Sequence, residues 1–168
     1  IEAQWVEGLK EVLESYGLFV SVSEHALCEN GRFAGSDNER IQDLQEAIND
    51  AQVKAIFCSR GGYGLARIID KIDFSALKSA AKWIVGFSDI TALHNAFSRV
   101  GVASIHGIMA KHITLKADGL DNLMTMLFGG DVAYEVPAHD FNKVGEAEGE
   151  LIGGNLSVLY GLRGTPFD

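Results

Sequence analysis

Three glycine-bearing turns in this 168-residue chain hold the residues that chemistry needs: Ser59-Arg60-Gly61-Gly62-Tyr63-Gly64, Gly86-Phe87-Ser88-Asp89 and His106-Gly107. In the second, a serine stands between an apolar strand pattern and a helical one, so its hydroxyl is held up at the apex of the turn. The backbone N–H of the next residue, Asp89, then points where an oxyanion would form, helped by the positive end of the helix. The usual elbow spacing is G-x-S-x-G, and the last position here is Ile90. A plain helix cap by Ser88 or Asp89 is the competing reading of that turn. In the first turn, consecutive glycines let backbone N–H groups approach a ligand, which makes Gly61 and Gly62 candidates for a second oxyanion donor. Taken alone, it reads equally as a surface turn with Arg60 in an ion pair. A dinucleotide fingerprint through Gly62 and Gly64 fails, because its third small position falls on Arg67.

His106 follows a strand pattern and precedes Gly107, so it faces the same edge. It reads as a general base for Ser88 or as a hydrogen-bonded structural histidine. His94 either lines the turn or is exposed, and His25, His112 and His139 fall in loops or ends without a motif. There is no H-E-x-x-H and no Cys/His cluster, so neither a metal nor a cofactor is expected. Cys58 ends a buried strand, where packing is the default role.

These turns need a scaffold, and the hydrophobic pattern supplies one. Trp5, Leu9, Val12, Leu13 and Tyr16 recur at helical spacing, with Gly17 placed to close the helix. Residues 18–22 alternate as a short strand, and a loop with Asn30-Gly31 and Gly35 follows. Ser36 or Asp37 then caps a helix with the stripe Ile41, Leu44 and Ile48. Residues 53–58 read as a buried parallel strand. Short helices are expected over 65–69 and 74–81, strands over 83–85 and 102–105, and helices over 90–100 and 120–128. Strand–helix alternation with short connections predicts an α/β fold, a mostly parallel sheet flanked by helices. In such a sheet, ligands bind beyond the carboxyl ends of the strands, where all three turns lie. The passage 129–145 is less regular, and a strand over 148–152 with a helix over 156–162 reads as the start of a second, C-terminal domain. The division expected is 1–137 and 138–168, with both ends of the sequence cut.

Composition bounds the function. The chain is 47% hydrophobic and 22% charged, with 14 Lys+Arg against 23 Asp+Glu, a formal charge of −9. That is a globular composition, and its acidity argues against nucleic acid as partner. No apolar run reaches the roughly 18 residues of a membrane span. Two cysteines fit a reducing compartment.

The motifs carry a resemblance more specific than any one turn. They are Phe33-Ala34-Gly35-Ser36-Asp37-Asn38-Glu39-Arg40 with Asp43-Leu44-Gln45, then Arg60-Gly61-Gly62-Tyr63-Gly64-Leu65-Ala66-Arg67, then Gly86-Phe87-Ser88-Asp89-Ile90-Thr91-Ala92-Leu93-His94. His106-Gly107, Gly153-Gly154-Asn155-Leu156-Ser157 and Gly164-Thr165-Pro166 follow. In order and spacing these resemble the LD-carboxypeptidase family of serine peptidases, which includes the microcin-immunity hydrolases. The resemblance implies a two-domain hydrolase with a class I glutamine amidotransferase-like first domain, cutting an amide between an L- and a D-amino acid. In the recycling members this releases D-alanine from a murein tetrapeptide. It implies Ser88 as nucleophile, with the N–H of Asp89 and of Gly61 or Gly62 as oxyanion donors. Arg60, Tyr63 and His106 become substrate contacts. The family's glutamate and histidine are expected past Asp168, and its first strand before Ile1. A cytoplasmic location, a murein-peptide ligand and a homodimer are further expectations. The alternatives are a microcin-type immunity hydrolase and a non-catalytic α/β binding domain.

Overall fold

The computed structural model describes residues 1–114 and 119–168. Among the described residues three parallel strands form the sheet, in the order β1 (Ala55–Phe57), β2 (Trp83–Gly86), β3 (Ile105–His106). The register pairs Phe57 with Val85 and Gly86 with His106, so the strands finish together at one edge. β2 is central and buried on both faces. Ile84 packs into one apolar cluster with Ile48, Leu77, Leu93 and Phe97, and Val85 into another with Leu9, Leu13, Ile113 and Leu123. Period-two alternation along one strand thus joins two helical layers. The first layer holds α2 (Asp37–Asn49), α3 (Thr91–Arg99) and α6 (Leu156–Leu162). The second holds α1 (Ala3–Ser15), α4 (Ala110–Thr114) and α5 (Leu120–Leu127).

Helix ends follow the sequence closely. α1 stops at Gly17, whose φ of 81° permits the left-handed turn. There Gly17 N–H donates to Glu14 O and Leu18 N–H to Leu13 O, a Schellman closure. α2 opens with a reciprocal capping box between Ser36 and Glu39. Its other end is held by Lys82, buried at 4% exposure, whose Nζ donates to Ala47 O at 3.0 Å and Asp50 O at 2.8 Å. Those carbonyls have no partner within the helix, which is what a cation at a helix C-terminus satisfies.

Several expected elements differ. Residues 18–22 and 148–152 are not strands, because no ladder partner pairs with either among the described residues. Leu18 and Val20 still pack on the second cluster, while Phe19 is 98% exposed. The helices expected over 65–69 and 74–81 are 3₁₀ turns, Leu65–Arg67, Ile69–Lys71 and Ser75–Lys78. β1 and β3 are shorter than the apolar runs that contain them, since pairing and not hydropathy limits a strand. α4 has no counterpart in the expected elements and places His112 on a helix. Among the described residues no helix is long and apolar enough to cross a membrane.

Candidate active site

At the carboxyl end of β2 the chain passes through Phe87 into a 3₁₀ turn, Ser88–Ile90, that runs on into α3. Ser88 has φ 63°, the one positive φ at a non-glycine residue among the described residues. Such a conformation costs of order 1 kcal/mol for a side chain with a Cβ and persists only where the surroundings impose it. Two contacts impose it here. A Cβ built on Gly86 would lie 2.8 Å from Ile90 Cγ1 and 3.2 Å from Cys58 Cβ, so glycine is needed for the turn to fold back onto the sheet. The Ile90 side chain occupies the space that a side chain at Gly86 would need.

The second contact is with the glycine turn after β1. A Cβ on Gly61 would stand 3.2 Å from Ser88 Cβ and 3.5 Å from Ser88 Oγ, so this turn is the wall against which the serine sits. Gly62 has φ 142°, open to few other residues. Arg60 is exposed, and Tyr63 is 79% exposed. The helix-cap reading of Ser88 and Asp89 fails: Ile90 occupies the cap position of α3, and no side chain bonds there. Asp89, at 7% exposure, instead accepts from Leu65 N–H at 3.0 Å. No signal local to either turn foretells that bond. The dinucleotide reading fails too, because Gly62 and Gly64 lead into a three-residue 3₁₀ turn and not a helix able to hold a pyrophosphate.

The glycine turn is supported from behind. A Cβ on Gly64 would meet the Arg40 guanidinium and come within 3.3 Å of Phe33 Cδ1. Arg40 and Arg67 both stack on the Phe33 ring and both pair with Asp37. The Arg67 bond first, then Arg40, holds the Asp37 carboxyl down to about 2.

The histidines separate sharply. His94, which the sequence leaves lining the turn or exposed, is buried at 7% exposure, because it lies on the core side of α3. Its Nε2 lies 2.9 Å from Gly86 O and its Nδ1 2.9 Å from Ser104 Oγ. A carbonyl only accepts, so Nε2 carries the proton and Nδ1 accepts from the hydroxyl. Both nitrogens are therefore engaged, and His94 is not a base for Ser88. His106 is exposed and stacks on the His94 ring at 5.5 Å. His112 lies edge-on to Phe87 at 5.0 Å, a contact its place in the sequence did not reveal. Burial, and then the Asp89 charge, push the Cys58 thiol up to about 12, so it is neutral and packs.

Beside Phe87 and His106 opens a cleft of about 250 Å³, walled by Gly107, Ile108, Leu123 and Tyr134. A larger cavity, about 370 Å³, lies around Arg32, Phe33 and Asp37 and is lined by none of the three turns.

Comparison with known proteins gives these features a context. Residues 2–107 match the model of the LD-carboxypeptidase N-terminal domain. The chain is 38% identical over 168 residues to the probable murein peptide carboxypeptidase of Bacillus subtilis (strain 168), covering 93% of this chain and 51% of that protein. The crystal structure of muramoyltetrapeptide carboxypeptidase from Oxalobacter formigenes superposes with a TM-score of 0.86 at 29% identity, over 99% of this chain and 57% of that one. Microcin C7 self immunity protein MccF shares the fold, with a TM-score of 0.77 at 20% identity over 97% of this chain and 58% of that one. The chain thus spans about half the length of the relatives it matches. With the family model covering more than half of its residues, the chain belongs to the LD-carboxypeptidase family.

Proposed function

We propose that the intact protein carrying this chain is a serine-type LD-carboxypeptidase. It hydrolyses the amide between an L- and a D-amino acid and releases terminal D-alanine from a murein tetrapeptide in cell-wall recycling in the cytoplasm. The observation that carries this reading is Ser88, held at φ 63° at a strand-to-helix junction and packed on the Gly61 turn. Ser88 Oγ attacks the scissile carbonyl carbon as a base takes its proton. The oxyanion that forms is held by the N–H of Asp89 and of Gly61 or Gly62. The C–N bond then breaks, the base returns the proton to the departing D-alanine amine, and water hydrolyses the acyl-serine.

The base and its orienter are the histidine and glutamate that the family resemblance assigns past Asp168. The bonds at both nitrogens of His94 support leaving it out of that role. Arg60 is an exposed cation beside the nucleophile turn and suits the terminal carboxylate that any carboxypeptidase must recognise. Tyr63 and His106, both exposed, are taken as further substrate contacts. The alternative is a microcin-type immunity hydrolase, which the likeness to MccF and to an MccF-like protein also fits.

The test is mass-spectrometric detection of D-alanine after incubating the intact protein with murein tetrapeptide, beside the same peptide ending in L-alanine. Release of D-alanine with the L-ended peptide left whole is expected. Hydrolysis of neither, or of both equally, contradicts the reading.

A further inference from the structure

Leu65 opens a three-residue 3₁₀ turn, so its N–H is one of the donors that a helix start leaves without a backbone acceptor. It is buried, at 8% exposure, and the acceptor that satisfies it comes from 24 residues away: Asp89 Oδ2, at 3.0 Å. A carboxylate at 7% exposure is a costly side chain for mere packing. Here its charge strengthens a bond to a backbone donor. The bond spans two pieces that already touch, since Gly61 abuts Ser88 and Phe87 O at one end of the glycine turn. Arg40 fills the space behind Gly64, so the turn is clamped between that guanidinium and the Asp89 carboxylate.

Resting on the serine reading above, we propose that the Asp89 side chain is a positioning residue for the oxyanion site. Its backbone N–H serves one side of that site. Its carboxylate fixes the glycine turn that supplies the other, through Leu65. One residue thereby sets the separation of two donors on different strands' ends, and a displacement of about 1 Å between such groups costs about 100-fold in turnover.

The intact protein, with Asp89→Asn and Asp89→Ala, tests this by two readouts: kcat and KM for D-alanine release, and hydrogen exchange at the Leu65 amide. Asp89→Asn keeps an acceptor oxygen, so its kcat is expected within about fivefold of wild type, with Leu65 protected. Asp89→Ala is expected to lose about 100-fold in kcat with KM changed less than about threefold. Its Leu65 amide exchanges faster by at least about tenfold, while amides of α5, on the opposite face of the sheet, keep their protection. Should Asp89→Ala not fold, Asp89→Leu, of similar size and without an acceptor, carries the same expectations. An Asn variant as impaired as the Ala one, or a Leu65 amide that stays protected without the carboxylate, overturns the proposal. A wild-type protein that releases no D-alanine contradicts the serine reading instead, and the Leu65 exchange comparison then decides the anchor by itself.

Discussion

At His94 the protonation state follows from two neighbours and from burial. Nε2–H is committed to Gly86 O, Nδ1 to Ser104, and desolvation, the largest influence, lowers the pKa from its ordinary 6.5, with His106 adding to the fall. A folded-state pKa below the unfolded one means that the unfolded chain binds the proton more readily. The stability tied to neutral His94 is therefore full above about 6.5 and is lost as pH falls below it toward the folded value. His25 works in the opposite sense, since its bond to Asp43 raises its pKa. Both proteins in a comparison keep His25, so subtraction removes it. Lowering pH from about 7.5 to about 5.5 is expected to cost wild type more in melting temperature than it costs His94→Gln, followed by circular dichroism. Parallel curves would show that His94 does not titrate against folding. The sequence pointed to Ser88 because a serine between a strand and a helix is a local pattern. The bonds of Asp89 to Leu65 and of His94 to Ser104 join separate elements, and no local pattern encodes them.

At the scale of elements, the junction of β2 and α3 depends on one exchange of volume: no side chain at Gly86, and a branched one at Ile90. Gly86→Ala places a methyl 2.8 Å from Ile90 Cγ1 and is expected to cost about 1–3 kcal/mol in denaturant unfolding. In an Ile90→Ala background the same substitution should cost less by about 1 kcal/mol or more, because the atoms it collides with are gone. Strict additivity across that cycle would mean that the contact does not shape the turn. The same physics divides the elements that were legible from those that were not. The ends of α1 and α2 were legible because Gly17 and the Ser36/Glu39 pair act within a few residues. Residues 18–22 and 148–152 have strand-like composition, but a strand exists only where a neighbour offers a ladder. The 65–71 stretch has helical spacing, yet it forms two three-residue 3₁₀ turns, Leu65–Arg67 and Ile69–Lys71.

Across the whole molecule, the mostly parallel order was legible from alternation alone, and the register brings the three chemistry-bearing turns to one edge. The layers above and below are less complete. Leu151 is 98% exposed and Leu156 81%, although α6 packs through Leu162 and Gly154 sits tightly on Thr91. Such apolar surface is what a further covering layer would bury, and relatives about twice this length have room for one. Under the function proposed above, the nucleophile and oxyanion donors would stand on this body and the base and its orienter on another. The central claim is that Ser88 is the nucleophile, and the most direct measurement is D-alanine release from murein tetrapeptide by the intact protein carrying Ser88→Ala. Because the substitution also relieves nothing buried and removes no cap, the variant should keep the wild-type circular dichroism spectrum and unfold within about 1 kcal/mol of it. Its turnover is expected to fall by at least about 10⁴-fold, the loss that follows removal of a triad nucleophile. A folded Ser88→Ala protein that still releases D-alanine within about tenfold of the wild-type rate would contradict the account.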